Sequence, residues 1–299
     1  MMDLTVLRLY CDLVESGSFT VAAQRNYLSQ SAVSQRIRTL EQAYGQVFLE
    51  RGKGMGKVTT TQAGELLYRG ARPLVQDADE LDARLRGLME DLAGTVRVAT
   101  VYSVGLHALP GRLKPFLADH PAINVHLEYM PTEKVYEAAV SAAVDVGIVA
   151  CPSARAGLEI VPFGVEEMVV VCAPENPLAG RAEVALSELE GMEFVAFTVG
   201  IPTRRLIDER LLAARVQPRI AMAFDNIETI KNVVEIGGGV SILPESSVRR
   251  DIREGSLAAV RLAPADAFTR DVGVLLKSNR TQRAAVRAFV DAVGALSNG

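Results

Sequence analysis

Apolar residues recur at helical spacing through roughly the first ninety positions, and in short β-rich runs after that. Leu4, Leu7, Cys11 and Val14 follow one another at steps of three, four and three, which predicts an amphipathic first helix ending near Gly17. Ser18 is placed to cap a short second helix, in which Ala22 and Ala23 are small enough for close helix contact, ending around Asn26. From Ser29 to Gly45 the residue types separate cleanly: Val33, Ile37, Leu40 and Tyr44 share one stripe, and Ser31, Ser34, Gln35 and Arg38 fall nearly opposite. Ser29 suits an N-cap and Gly45 a helix stop. Helix, short turn and helix with a polar outer face is helix-turn-helix organisation, whose second helix enters the major groove of DNA. The competing reading is a three-helix interaction module that never touches DNA. Val47, Phe48 and Leu49 then precede a run holding Gly52, Gly54 and Gly56, which reads as a hairpin wing carrying Arg51, Lys53 and Lys57 towards a nucleic-acid backbone.

Thr61 is a candidate N-cap for a long helix to about Leu92. Leu67, Ala71, Leu74, Ala78, Leu81, Leu85, Leu88 and Leu92 alternate steps of four and three, a heptad seam that asks for a partner helix. A solvated spacer would not need apolar residues at every such position. Pro73 lies inside the pattern and is expected to kink or divide the helix. Past Gly94 the segments VRVATVY, INVHLEYM and VDVGIVA read as strands, with helices over Leu106–Ala118 and Thr132–Ala143 between them. EEMVVVCAP, EFVAFT and RIAMAF continue the series, with helices over Thr203–Ala214 and Asn226–Ile236, then the strand DVGVLLK and a closing helix from Gln282 to Leu296. This is α/β organisation with a mainly parallel sheet.

Composition changes this picture in one respect. The net charge is −4, yet residues 1–58 hold seven Lys or Arg against five Asp or Glu, leaving 25 against 31 for the remainder. Between Arg25 and Lys57 the balance is six basic to two acidic, the local footprint that phosphate contacts need. Cys11, Cys151 and Cys172 are too few and too scattered for a disulfide framework or a zinc site, and a redox-sensing cysteine has no visible neighbouring base. His107, His120 and His126 show neither metal-ligand spacing nor a catalytic constellation, so no metal, cofactor or catalytic residue is expected. Gly237–Gly239 follow a helix and precede a strand, the wrong order for a phosphate loop. No stretch is apolar enough to span a membrane and the N-terminus lacks signal-peptide character, which points to the cytoplasm.

The order of AAQRNYLSQSAVSQRIRTLEQAYGQVFLERG and TTTQAGE resembles the winged helix-turn-helix of LysR-type transcriptional regulators. LHALPGRLKPFLADHP, DVGIV and NVVEIGGGVSILPE resemble that family's periplasmic-binding-protein-like effector domain. The glycine-rich wing tip GKGMGK departs from the family pattern. The resemblance implies an α+β multidomain protein: a winged helix-turn-helix over 1–60, a linker and dimerisation helix over 61–93, and a two-lobed α/β effector domain over 94–299. Lobe I would comprise 95–163 and 267–299, lobe II 164–266, with the crossings near Phe163 and Ala267. It also implies a ligand-responsive regulator acting on double-stranded promoter DNA as a homo-oligomer, a dimer of dimers, with RNA polymerase as a further partner.

Gln30, Ser31, Ser34, Gln35, Arg36, Arg38, Arg51, Lys53 and Lys57 are the candidate DNA-binding residues. Gln35 and Ser34 are expected at base edges, Arg38 at a guanine or a phosphate, and the remaining cations at phosphates. Ligands of open α/β sheets sit at strand C-terminal ends, near helix N-termini. That rule and the family pattern together nominate Thr100, Tyr102, Ser103, Thr198, Gly200, Thr203, Arg204 and Asn226 for an effector that is a small organic anion. Ordinary helix capping competes as the role of each hydroxyl or amide. A solute-binding transport component and an α/β enzyme with an accessory helical domain are the other classes. The helix-turn-helix and the missing leader weigh against the first, and the lack of a nucleophile, base and orienter weighs against the second.

Overall fold

The computed structural model describes residues 3–51, 58–86, 93–278 and 282–294. Two compact units emerge, one of residues 1–91 with 141–143, the other of 92–140 and 144–299.

In the first unit, α1 (Leu4–Ser16) is capped by Asp3, whose carboxylate accepts from the Val6 N–H at 2.9 Å, and it stops at Gly17 with φ 61°. α2 (Phe19–Arg25) is capped by Ser18, and α3 (Gln30–Tyr44) runs from its cap Ser29 to Gly45 at φ 60°. The apolar stripe of α3 is buried as its spacing predicts: Val33, Ile37 and Leu40 pack with Leu9, Tyr10, Leu13, Ala22 and Ala23 in one core. Burying each of the three stripe residues contributes about 1.5–3 kcal/mol. Tyr44, fourth in the stripe, is half exposed, with its ring edge-on to Phe48.

β1 (Leu49–Arg51) pairs antiparallel with β2 (Val58–Thr60), making the wing. Glu41 fixes its root, because its carboxylate accepts from the Phe48 N–H at 2.9 Å and the Leu49 N–H at 3.3 Å. The wing tip with Lys53 and Lys57, and the side chain of Arg51, lie outside the described residues. α4 (Gln62–Arg86) begins under this wing. The Thr61 hydroxyl donates to the Val47 carbonyl at 2.6 Å and accepts from the Gly64 N–H at 3.0 Å. Any Cβ at Gly64 would run into the Phe48 carbonyl oxygen, so this close approach needs glycine.

α4 passes through Pro73 without dividing. The heptad seam, however, splits. Ala71, joined by Val75, is buried within the chain against Leu7 and Cys11 of α1, whereas Leu74 and Leu81 are 53% and 58% exposed. The side chain of Leu85, and all of Leu88 and Leu92, lie outside the described residues.

The second unit has two lobes. In lobe I, β3 (Gly94–Thr100) leads through a five-residue π-turn, Val104–Ala108, into α5 (Pro110–Asp119). β4 (Ile123–Tyr129), α6 (Thr132–Val140) and β5 (Val146–Ala150) follow, and the three strands lie parallel in the order β4-β3-β5. The expected single helix from Leu106 is thus broken ahead of Pro110, where proline suits a helix start. β6 (Leu158–Cys172) runs fifteen residues and belongs to both lobes.

Lobe II adds β7 (Glu183–Val184), a 3-10 turn at Leu186–Leu189, and β8 (Glu193–Phe197). Next come α7 (Pro202–Ala213), β9 (Arg219–Phe224), α8 (Ile227–Glu235), β10 (Ser241–Pro244), α9 (Glu245–Glu254) and β11 (Ala258–Leu262). The chain returns along β12 (Thr269–Lys277), antiparallel to β5 and β6, and closes with α10 (Ala284–Gly294), whose Phe289 meets Phe116 of α5 edge-on at 5.3 Å.

The sheet is mixed rather than mainly parallel. A strand that crosses to the second lobe must be answered by one that returns, so β12 pairs antiparallel with β6, as do β10 and β11. Pairing skips Phe163 near Val272/Gly273; Phe163 is buried under the Arg112 guanidinium, which donates to the Phe163 and Val293 carbonyls. Separate apolar cores fill the lobes, one around Val96, Phe116 and Phe289, the other around Val170, Phe194 and Ile230.

Candidate functional site

Two regions gather the candidate residues. On α3, Gln30, Ser31, Gln35 and Arg38 are exposed, and Ser34 and Arg36 half-buried. The helix N-cap holds Ser31 as well, since the Ser29 and Ser31 hydroxyls lie 3.0 Å apart. Elsewhere in this unit four described cations have carboxylate partners: Arg8 with Asp79, Arg25 with Asp12, Arg69 with Glu65 and Arg72 with Glu15. Arg36 and Arg38 have no such partner among the described residues. The exposed face of Ser31, Gln35 and Arg38 therefore combines amide and hydroxyl groups with a cation that has no carboxylate partner among the described residues, and the second such cation, Arg36, flanks the buried stripe.

The second region is a cavity of about 130 Å³ between the lobes. Four elements begin on its wall: the π-turn after Val101, Tyr102 and Ser103, α6 at Pro131 and Thr132, α7 at Ile201–Thr203, and α8 at Asp225 and Ile227. First-turn N–H groups have no carbonyl partner within their own helix, so such ends favour negative charge. Met130, Ala150 and Phe197 complete an apolar wall. The Tyr102 ring stacks on Tyr129, centroids 5.4 Å apart. Asp225 is the one charged side chain among the lining residues.

Of the sequence candidates, Tyr102, Ser103 and Thr203 line this cavity. The other five sit elsewhere for identifiable reasons. Thr100 is fully buried under the strand end, its hydroxyl 3.4 Å from the Val101 carbonyl. Thr198 and Gly200 lie in the exposed turn before α7, where Gly200 takes φ 98°. Arg204 is turned into structure, donating to the Phe197 carbonyl at 2.7 Å and to Asp208 at 2.7 and 2.8 Å. Asn226 is the N-cap of α8, accepting from the Glu228 N–H at 2.9 Å. Sequence reasoning missed the apolar wall, because Met130, Pro131, Ile201 and Ile227 look like any core residue until the lobes come together.

Thr203 also faces the hinge. Its hydroxyl oxygen accepts from Arg270 Nη1 at 3.1 Å, and Arg270, fully buried, pairs with Glu166 at 2.7 Å. Ser246 donates to the same carboxylate. Arg270 comes from β12, Glu166 from β6, Thr203 from α7 and Ser246 from α9, so the pocket wall is tied directly to both crossing strands. On the far side of Pro202 and Arg270 a second, more open cavity carries Arg205 and Arg210 with Glu209 and Asp271. Among the described residues no cluster of His, Cys, Asp and Glu could hold a metal ion, and no helix is long and apolar enough to cross a membrane.

Residues 4–65 match the bacterial regulatory helix-turn-helix protein, lysR family, and residues 90–297 the LysR substrate binding domain. The HTH-type transcriptional regulator CysL of Bacillus subtilis is 29% identical over 247 residues, covering 83% of this chain and 82% of its own. Among solved structures, a full-length OxyR variant from Pseudomonas aeruginosa superposes with a TM-score of 0.77 at 22% identity, covering 98% of this chain and 95% of that one. Full-length CbnR complexed with its target DNA gives 0.72 at 23% identity, covering 98% and 99%. With a helix-turn-helix domain at one end and a two-lobed binding domain over the rest, matched over residues 4–65 and 90–297, the chain belongs to the LysR family and is a ligand-responsive, DNA-binding transcriptional regulator.

Proposed function

We propose that α3 enters the major groove with Gln35 and Ser34 at base edges, flanked by Gln30 and Ser31. Arg38 takes a guanine or a phosphate, and Arg36, with Arg51, Lys53 and Lys57 of the wing, takes phosphates. The observation that carries this reading is the unpaired state of Arg36 and Arg38 in a unit whose other described cations largely have carboxylate partners. Glutamine makes a bidentate pair with adenine, worth about 1–3 kcal/mol of discrimination. Gln35→Ala therefore lowers affinity for a selected duplex about tenfold or more and relaxes preference at one position. Arg38→Ala reduces the slope of log affinity against log salt by about one if it meets phosphate. Salt-sensitive binding without sequence preference, unchanged by Gln35→Ala, would overturn the assignment.

The effector, on this reading, is a small organic anion in the interlobe cavity, held by Ser103, Thr203 and first-turn N–H groups. About 130 Å³ is close to the roughly 150 Å³ that holds one benzene ring. Asp225 and the lack of any Lys or Arg in the lining favour a second reading, a neutral or cationic ring of the same size. Thermal shift with benzoate, benzyl alcohol and benzylamine separates the two. A ligand at a hundred times its Kd stabilises by about 2.7 kcal/mol, so the preferred class raises the melting temperature by several degrees. A response to benzylamine alone would overturn the anion. We assign residues 1–60 to the reading head, 61–93 to the linker, and 94–299 to the regulatory domain, acting in the cytoplasm in a dimer of dimers that meets RNA polymerase on the promoter.

A further inference from the structure

α2 ends in a turn whose chemistry calls for glycine. The Leu28 N–H donates to the Ala23 carbonyl at 2.9 Å and the Tyr27 N–H to the Gln24 carbonyl at 3.3 Å, the paired bonds of a Schellman stop. The residue after the C-cap Asn26 must then be left-handed, and it is Tyr27, at φ 54°. For a residue with a Cβ that backbone is strained.

Nothing inside the unit compensates. Tyr27 is 98% exposed, and its phenol has no partner among the described residues. The packing duty of this turn belongs to Leu28, which lies against the core. Its geometry is held by Asn26, whose amide donates to Asp12 at 2.7 Å and to the Ala22 carbonyl at 2.9 Å. The turn is therefore rigid without the tyrosine. Its position is two residues before Ser29, the N-cap of the reading helix, beside the first turn that carries Gln30 and Ser31.

We propose that Tyr27 is a DNA contact, its hydroxyl donating to a backbone phosphate oxygen at the edge of the groove that receives α3. Tyrosine hydroxyls serve this role, and a ring with two side-chain torsions on a fixed turn loses little entropy on binding. A phosphate contact sets register and contributes affinity on every sequence. The inference rests on the placement of α3 given above, and Gln35→Ala in the same assay tests that placement separately.

The test uses the full-length protein, and the tightest duplex it recovers from a randomised library, in fluorescence anisotropy. Tyr27→Phe, which keeps the ring and loses the donor, weakens binding about three- to tenfold on selected and unrelated duplexes alike. The salt slope stays unchanged, since no charge is removed. Tyr27→Gly relieves the turn, so its melting temperature rises while its affinity falls at least as far as that of Tyr27→Phe. Opposite movement of stability and affinity is the signature, because a residue that only supported the fold would lower both. Binding within twofold of the parent for both variants, or a phenylalanine variant indistinguishable from it, overturns the proposal.

Discussion

His107 shows how much one side chain can report about the join between the lobes. It sits in the π-turn of lobe I, and its Nε2 lies 2.7 Å from a Glu228 carboxylate oxygen on α8. Glu228 is also 3.1 Å from Lys231, which is buried and held in turn by Asp251 at 2.9 Å and the Ser247 carbonyl at 3.1 Å. Burial pushes the imidazole below its ordinary value, only partly opposed by the Glu228 hydrogen bond. The unfolded chain therefore binds the proton more readily than the folded one. Stability from the neutral ring is complete above about pH 6.5 and is lost as pH falls through the lowered folded value. Melting curves between pH 7.5 and about 5 are expected to fall through that window, and His107→Gln, which keeps a donor for Glu228, to flatten the fall. An unaltered pH profile in that variant would mean that another group is responsible.

At the level of elements, β6 and β12 matter most, because they are shared by both lobes and carry the buried Arg270–Glu166 pair. Removing one partner strands the other charge. Arg270→Met should lower the stability of the regulatory unit by about 3–5 kcal/mol in urea, and adding Glu166→Gln should restore much of it. Equal losses in the single and double variants would contradict this account. This pair also marks where sequence reading stops. Glu166 and Arg270 are 104 residues apart, and no local period links them. The helix faces were legible for the opposite reason: Val33, Ile37 and Leu40 declare their common side within three turns. That Ser103 and Thr203 line the cavity was legible from the rule that strand ends and helix starts border the cleft of such folds. The same rule also selected Asn226 and Arg204, because a capping amide or a helix-tying guanidinium looks identical in sequence. The mainly parallel sheet failed as an expectation because a crossing strand's direction is decided by the second lobe, beyond the reach of any window.

For the molecule as a whole, the seam along α4 divides between a buried and an exposed set. Leu67, Ala71 and Val75 are occupied by α1, whereas Leu74 and Leu81, seven residues apart, are exposed and form the face that the proposed dimer would use. Leu74→Glu with Leu81→Glu is expected to give a monomer at micromolar concentration in sedimentation. It should also weaken DNA binding by at least about a hundredfold, as two linked heads become two independent ones. A dimer of unchanged stability would place the contact elsewhere. The lock at the start of α4, where Thr61 and Gly64 grip Val47 and Phe48, gives this arrangement a mechanical advantage. Held this way, head and helix would turn together as one lever. Its 25 residues reach about 37 Å, so a tilt of about ten degrees at the far end displaces the head by about 6 Å, nearly two base-pair steps along the duplex. In the proposed pairing of chains, small rearrangements between them would thereby become a change of footprint on the promoter.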